Sequence, residues 1–171
     1  MISNSILLIL PSQNFNEEEY LVTSDSLGKA GIKIFIASDS NFLCVGSNGL
    51  KVKNDVQLYN IHESNFAGLI LIGGKGMRSY WNNSILHSIV RKFVKSKKPV
   101  GAICSAPIIL AKAGVLTECS TCYPDDRPEL EKMGIGYKDE SVVSSKKIIT
   151  AKDPASTKEF IKTFLYELSQ N

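Results

Sequence analysis

Four short runs rich in Ile, Leu and Val recur along the chain, at residues 6–10, 32–37, 67–72 and 100–103, with helix-period segments between them. Apolar runs of this length are typical of strands that are buried on both faces. Parallel strands need long crossover connections, and the crossover helices pack on both faces of the sheet. The pattern therefore predicts an α/β sandwich with a mostly parallel sheet, and a length of 171 residues favours one domain over residues 1–171.

Helical periodicity predicts helices over residues 17–30, 85–93 and 108–113 and a last helix near the carboxyl terminus. Pro107 suits the first turn of the third of these helices, and Ser156 with Glu159 has the spacing of a capping box at the start of the last. Residues 41–59 are rich in turn-forming residues and predict short hairpin-like strands that interrupt the alternation.

Charge and hydropathy argue against two classes of partner. Twenty basic residues against 17 acidic ones give a net charge of only +3, so the composition predicts no nucleic-acid binding. The apolar runs are much shorter than the roughly 20 residues that span a bilayer, so no membrane segment is predicted. Three glutamates at 17–19 follow the first run too closely for a secretory signal, and we expect a cytoplasmic protein.

Ligands of open α/β sheets bind beyond the carboxyl ends of the strands. Three segments of this chain directly follow predicted strands, namely residues 11–19, 73–76 and 104–107. We therefore expect any functional site to be built from these three segments.

Cys104 lies at the predicted strand-to-helix junction, with Ala102 two residues before it and Ala106 two residues after it. This spacing of small residues is that of a nucleophile elbow, in which a sharp turn exposes the nucleophile above the sheet. The amino end of the following helix is expected to favour the thiolate. The alternative is that Cys104 is a small buried apolar residue.

Two further groups could complete such a site. Backbone N–H groups of Gly73, Gly74 and Ser105 could bind an oxyanion, although the glycines could equally serve a tight turn. Glu19 could pair with Asn16 at the start of its helix, or it could be desolvated beside Cys104 with a raised pKa.

The remaining metal-ligating and nucleophilic residues predict no second site. His62 and His87 both precede Cys104, which excludes a triad with a histidine after the nucleophile, and we interpret both as incidental. Cys119 and Cys122 have redox-motif spacing but lack two further zinc ligands, so we interpret them as structural. Neither a metal nor an organic cofactor is predicted.

The segment 98–107, Lys-Pro-Val-Gly-Ala-Ile-Cys-Ser-Ala-Pro, closely resembles the nucleophile elbow of the ThiJ/PfpI family, also called the DJ-one superfamily. Phe15 with Glu19, residues 69–74, residues 113–116 and residues 149–150 also resemble family positions, so the resemblance covers essentially the whole chain. It implies a flavodoxin-like sandwich and a homodimer.

The resemblance also implies roles for individual residues. Cys104 would be the family cysteine, Glu19 the buried acid that is hydrogen-bonded to it, and Gly73, Gly74 and Ser105 the oxyanion donors. PfpI-type peptidases carry a histidine where this chain has Ser105, which argues against proteolysis. DJ-one relatives carry a histidine where this chain has Tyr123, and a tyrosine is a poorer base at neutral pH.

These features lead to one main hypothesis and two alternatives. The main hypothesis is a DJ-one-type enzyme, glyoxalase-like or deglycase-like, that acts on small aldehydes or their protein adducts through Cys104 and Glu19. The first alternative is a non-catalytic oxidation sensor or chaperone-like dimer that uses Cys104. Peptide or amide hydrolysis ranks last because no imidazole base is evident.

Overall fold

The computed structural model describes residues 4–170. Its helices are α1 (Glu17–Lys29), α2 (Ser84–Lys95), α3 (Pro107–Lys112), α4 (Arg127–Lys132) and α5 (Thr157–Ser169). Its strands are β1 (Ser5–Ile9), β2 (Gln13–Phe15), β3 (Lys33–Ser38), β4 (Leu43–Gly46), β5 (Lys51–Lys53), β6 (Val56–Gln57), β7 (Gly68–Leu71), β8 (Val100–Ile103), β9 (Cys119–Ser120), β10 (Gly136–Tyr137), β11 (Val142–Ser145) and β12 (Ile148–Ala151).

Seven strands form the central sheet, in the order β11-β12-β8-β7-β1-β3-β6. Every neighbouring pair is parallel except β11 with β12. The register sets Ile9 beside Leu71, Leu71 beside Ala102 and Ala151 beside Ile103, so the carboxyl ends of four central strands lie side by side. The loops that leave these ends therefore meet along one edge of the sheet.

Two apolar layers cover the two faces of this sheet. One layer packs Leu7, Leu69 and Val100 against α2 and α3, and the other packs Ile6, Leu8 and Ile70 against α1 and α5. The predicted α/β sandwich with helices on both faces is thus confirmed, and its flavodoxin-like architecture forms a single domain. Helices α1, α2, α3 and α5 bury apolar side chains on the strands, which is the main stabilising contribution for helices this short.

The interruption predicted over residues 41–59 is confirmed. Strands β4 and β5 form an antiparallel hairpin, and β2 adds to it alongside β4. The Glu17 side chain accepts hydrogen bonds from the N–H groups of Asn48 (2.7 Å) and Leu50 (2.9 Å), which fixes this hairpin against the start of α1.

The predicted capping box at the last helix is wrong. The Ser156 hydroxyl makes no capping bond and instead donates to the Asp153 carboxylate at 2.7 Å. Asp153 also accepts from the Ser156 N–H, so a carboxylate three residues upstream replaces the predicted hydroxyl cap. Leu21 of α1 does not pack toward the sheet, since about half of that side chain is exposed.

Candidate active site

Cys104 stands at the end of β8, in the sharp turn that leads to α3. Its φ of +63° lies in the left-handed region that side-chain-bearing residues rarely adopt. Its N–H donates to the Ala151 carbonyl at 2.9 Å, and its carbonyl accepts from the Tyr123 N–H at 2.8 Å. Backbone bonds on both sides hold this strained conformation, and the geometry is the elbow that the spacing predicted.

Glu19 reaches the same point from helix α1. The Asn16 side chain caps the helix by accepting a hydrogen bond from the Glu19 N–H at 3.0 Å. Both predicted alternatives for Glu19 therefore occur together, because its backbone pairs with Asn16 while its side chain is buried near Cys104. The Glu19 side chain itself turns inward along a buried stripe that continues through Thr23 and Leu27. Its carboxyl group lies beside the Cys104 thiol and accepts a hydrogen bond from the Gly73 N–H at 2.7 Å.

Gly73 fits between these two side chains, and Gly74 fits against the backbone of residues 14–16, because neither has a Cβ atom. A Cβ at position 73 would lie 2.6 Å from the Cys104 Cβ and 2.9 Å from Glu19 Oε2. Gly74 has a φ of +114°, and a Cβ there would lie 2.5 Å from the Asn14 carbonyl oxygen. Both positions therefore require glycine for space, and position 74 also requires it for its backbone conformation.

The proposed oxyanion donors divide into two groups. The Gly73 N–H is already bonded to Glu19, so the expectation that it binds an oxyanion is wrong. The Gly74 N–H lies near the Cys104 sulfur, and within residues 4–170 the Ser105 N–H meets no acceptor. Gly74 and Ser105 therefore remain the backbone donors at the sulfur.

Burial dominates the protonation of this pair. Desolvation raises the pKa of Glu19 to about 8, as predicted, so that the carboxyl group is protonated at neutral pH. Desolvation, with the nearby Glu19 charge, also raises the pKa of the Cys104 thiol above its usual range. Burial therefore opposes the thiolate that the α3 amino end is expected to favour.

A cavity of about 440 Å³ opens above the Cys104 sulfur. Cys104 is only 6% exposed, but it lines this cavity together with Ser105, whose hydroxyl lies 4.0 Å from the sulfur, and with half-buried Tyr123. The other lining residues come from five segments of the chain and are Asn14, Asn16, Ser47, Gly74, Lys75, Arg78, Asp125 and Pro154.

Sequence reasoning missed Arg78 and its partner Asp126. Arg78 lies in the short 3-10 helix Lys75–Tyr80, directly after the glycine segment that the sequence did single out. Its guanidinium group bonds the buried Asp126 carboxylate at 2.9 Å, 48 residues away in the chain. The placement of a single arginine two residues beyond Gly76 was the available signal, but its partner could not be identified from spacing.

The other residues singled out from the sequence lie elsewhere. Cys122 is enclosed in a small apolar cluster with Ile108 and Leu130, and it forms no disulfide with Cys119. His62 and His87 are not among the cavity-lining residues. Among the side chains at positions 4–170, no group of three or more His, Cys, Asp or Glu could hold a metal ion.

In the same part of the chain, every helix is too short or too polar to cross a bilayer.

Comparison with known proteins places this site in a family. The chain is 30% identical over 156 residues to the glutathione-independent glyoxalase DJR-1.2 of Caenorhabditis elegans, covering 91% of this chain and 84% of that protein. It is 29% identical over 160 residues to a deglycase of Pyrococcus horikoshii, covering 93% and 96%.

The crystal structure of a ThiJ/PfpI domain protein from Brachyspira murdochii superposes with a TM-score of 0.96 at 27% identity, covering 100% of this chain and 99% of that one. The model of the DJ-1/PfpI family matches residues 4–167, which include all the strands and helices of the sandwich up to the last turn of α5. The chain belongs to the DJ-1/PfpI family.

Proposed function

We propose that this protein is a cysteine-dependent enzyme of the DJ-1 type that acts on small reactive aldehydes or on their adducts with proteins. The relatives named as glyoxalase and deglycase support this activity. The observation that carries the proposal is the adjacent pair of Cys104 and Glu19 at the floor of an open cavity, with backbone N–H groups near the sulfur.

The protonation of the pair suits addition to a carbonyl. Loss of one proton leaves either a thiol with a carboxylate or a thiolate with a carboxylic acid, and these two forms differ only in where the shared proton lies. With a pKa of about 8, Glu19 still reaches this singly protonated form near neutral pH, and its carboxylate is a stronger base than that of an ordinary glutamate. Glu19 thus acts as the base for a thiol whose own pKa is too high for direct ionisation.

In the proposed reaction, the Cys104 sulfur forms a bond to the aldehyde carbon while Glu19 accepts the thiol proton. The carbonyl π-electrons move to the oxygen, which the Gly74 and Ser105 N–H groups stabilise, and proton transfer to it gives a hemithioacetal. With methylglyoxal, Glu19 then moves the proton from the former aldehyde carbon to the adjacent carbonyl carbon, which yields a thioester. Water hydrolyses this thioester to lactate and returns the free thiol.

Lactate production from methylglyoxal tests the proposal. The Cys104→Ala variant should fall to the uncatalysed background, because without sulfur neither the hemithioacetal nor the thioester forms. Cys122→Ala is the matched control, since it removes a buried thiol that lies outside the cavity. Undiminished lactate production by a folded Cys104→Ala variant would exclude this mechanism.

A second candidate function is reversible oxidation sensing at Cys104. Glu19 Oε1 is buried and has no hydrogen-bond partner within residues 4–170, so a protonated Glu19 could donate to an oxygen added to the sulfur. Mass spectrometry after mild peroxide treatment tests it. A sensor would gain oxygen at Cys104 before the partly exposed Cys119, whereas faster oxidation of Cys119 would argue against sensing.

We also propose that the chain forms a homodimer, as the family resemblance implies. Exposed apolar side chains support this proposal, chiefly Phe42, which is 70% exposed, with Leu21 and Leu43. Sedimentation velocity should give twice the chain mass of 18.8 kDa, and Phe42→Asp should shift the population toward single chains. A single-chain mass for the unsubstituted protein at micromolar concentration would contradict the proposal.

A further inference from the structure

Charged side chains occupy one part of the cavity wall above Cys104. Lys75, Arg78 and Asp125 line the cavity, and the buried Asp126 lies behind Arg78. Lys75 and Asp125 are exposed to solvent, so water screens both of them. Arg78 is different, because its side chain is 37% exposed and packed against two other groups.

Two contacts hold the Arg78 guanidinium in place. Its Nε and Nη2 both lie 2.9 Å from the same oxygen of Asp126, and its Cζ lies 5.9 Å from the centre of the Tyr123 ring. Tyr123 itself is tied to the elbow, since its N–H donates to the Cys104 carbonyl. The guanidinium is thus fixed relative to the reactive sulfur rather than free to move with solvent.

The contacts leave donors of the guanidinium unused. Arginine has five N–H donors, of which only those on Nε and Nη2 meet Asp126, and Nη1 has no acceptor among the side chains and carbonyls of residues 4–170. A guanidinium that is oriented by a buried carboxylate and keeps free donors toward a cavity is suited to bind a carboxylate.

We propose that Arg78 selects substrates that carry a carboxylate near the reactive carbonyl, such as 2-oxo acids with an aldehyde group. The carbonyl carbon would meet the Cys104 sulfur while the carboxylate accepts hydrogen bonds from Arg78, with Lys75 adding a weaker attraction. This assignment rests on the proposed function only in taking Cys104 as the nucleophile. Asp126 is then a positioning residue that acts through Arg78.

Alkylation with a matched pair of reagents tests this role without any assumption about turnover. The Cys104 thiolate forms a bond to carbon in both iodoacetate and iodoacetamide and displaces iodide from each. The two reagents differ mainly in that iodoacetate carries a carboxylate. The quantity measured is the ratio of the two rates at Cys104, followed by peptide mass spectrometry. Both reagents consume the same thiolate, so a change in the pKa of the thiol cancels from the ratio.

The reference is the same ratio at Cys104 in the chain unfolded in urea. In the folded protein, the ratio of iodoacetate to iodoacetamide should exceed this reference, and Arg78→Gln should lower it about tenfold. Arg127→Gln is the matched control, because Arg127 also pairs with a carboxylate and stacks on a tyrosine ring but lies outside the cavity. That control should leave the ratio unchanged.

Two measurements keep the test decisive if Arg78→Gln unfolds. Arg78→Lys retains the charge but not the forked donors, and it should give an intermediate ratio. In the unsubstituted protein, raising sodium chloride to about 1 M should lower the ratio toward the reference, because the screening length falls to about 3 Å.

The possible failures are distinguishable. A ratio equal to the unfolded reference, or one that a folded Arg78→Gln variant leaves unchanged, would overturn the role of Arg78 while leaving Cys104 as the nucleophile. If neither reagent modifies Cys104 in the folded protein, the proposed function itself fails, and the assignment of Arg78 fails with it.

Discussion

Cys104 and Cys122 are both buried thiols with an acidic side chain nearby, and burial raises the pKa of both. For Cys122, desolvation and the charge of Asp126 raise the pKa to about 12. Neither burial nor a neighbouring carboxyl group therefore distinguishes a reactive cysteine from a structural one in this molecule.

The two cysteines differ in what surrounds the sulfur. Cys122 is fully enclosed by apolar side chains, and its thiol donates to the Tyr123 carbonyl at 3.3 Å. Its acidic neighbour, Asp126, is paired with Arg78, whereas no cation pairs with Glu19 in the part of the chain that the structure describes. Glu19 is thus placed to exchange a proton with a sulfur that faces a cavity.

Selective labelling gives the largest expected difference between the two thiols. Iodoacetamide should modify Cys104 at least about a thousandfold faster than Cys122. Labelling of Cys122 requires that the apolar cluster around it, between α3 and α4, opens locally, which costs several kcal/mol. Peptide mass spectrometry of the native protein at pH 8 measures both rates together. Comparable rates at the two positions would show that the cavity gives Cys104 no advantage.

Glu19→Gln sharpens the comparison, because it leaves Cys104 with a neutral neighbour that cannot accept a proton. We expect turnover to fall by about 10²-fold to 10³-fold. In the unsubstituted protein, the rate should rise with pH to a midpoint near 8, where Glu19 titrates.

In Glu19→Gln, that midpoint should move upward, toward the raised pKa of the isolated buried thiol. Glu18→Gln is the control, since Glu18 is the exposed neighbour on the same helix. An unchanged pH profile in Glu19→Gln would exclude Glu19 as the proton acceptor.

The sheet and the elbow could be predicted from the sequence because each depends on local patterns. The four apolar runs and the small residues around Cys104 are visible within a few positions. The roles of the Gly73 N–H and of Arg78 could not be predicted, since they depend on partners 54 and 48 residues away. Local patterns predicted wrongly where another residue competes for the same group. The Ser156 N–H and hydroxyl both donate to the Asp153 carboxylate, so Asp153 and not Ser156 is the capping residue.

The dependence of stability on pH tests the burial of Glu19 independently of catalysis. The pKa of Glu19 is about 8 in the folded protein against 4.5 as its ordinary value, so between these pH values the folded state holds a proton that the unfolded chain has lost. The contribution of Glu19 to the free energy of unfolding is therefore complete below pH 4.5 and lost as pH rises to about 8. Between these pH values, the contribution of Glu19 to the free energy of unfolding falls by at most about 1.4 kcal/mol per pH unit.

Urea denaturation at pH 5, 6 and 7 measures this slope. Glu19→Gln should remove it, because a glutamine does not titrate, whereas Glu18→Gln should retain it. Parallel stability profiles for the unsubstituted protein and Glu19→Gln would mean that Glu19 is ionised in the folded state, and the proton exchange assigned to the pair would then need another acceptor.

Cys122→Ala has the smallest expected effect and completes the contrast with Cys104. Removing a fully buried sulfur from the apolar cluster should lower the free energy of unfolding by about 1 kcal/mol, through lost contacts and a small cavity. Turnover should stay within about twofold, because the thiol lies outside the cavity and the Tyr123 N–H still binds the Cys104 carbonyl. Urea denaturation and lactate production measure the two quantities, and a loss of turnover without a loss of stability would give Cys122 a chemical role.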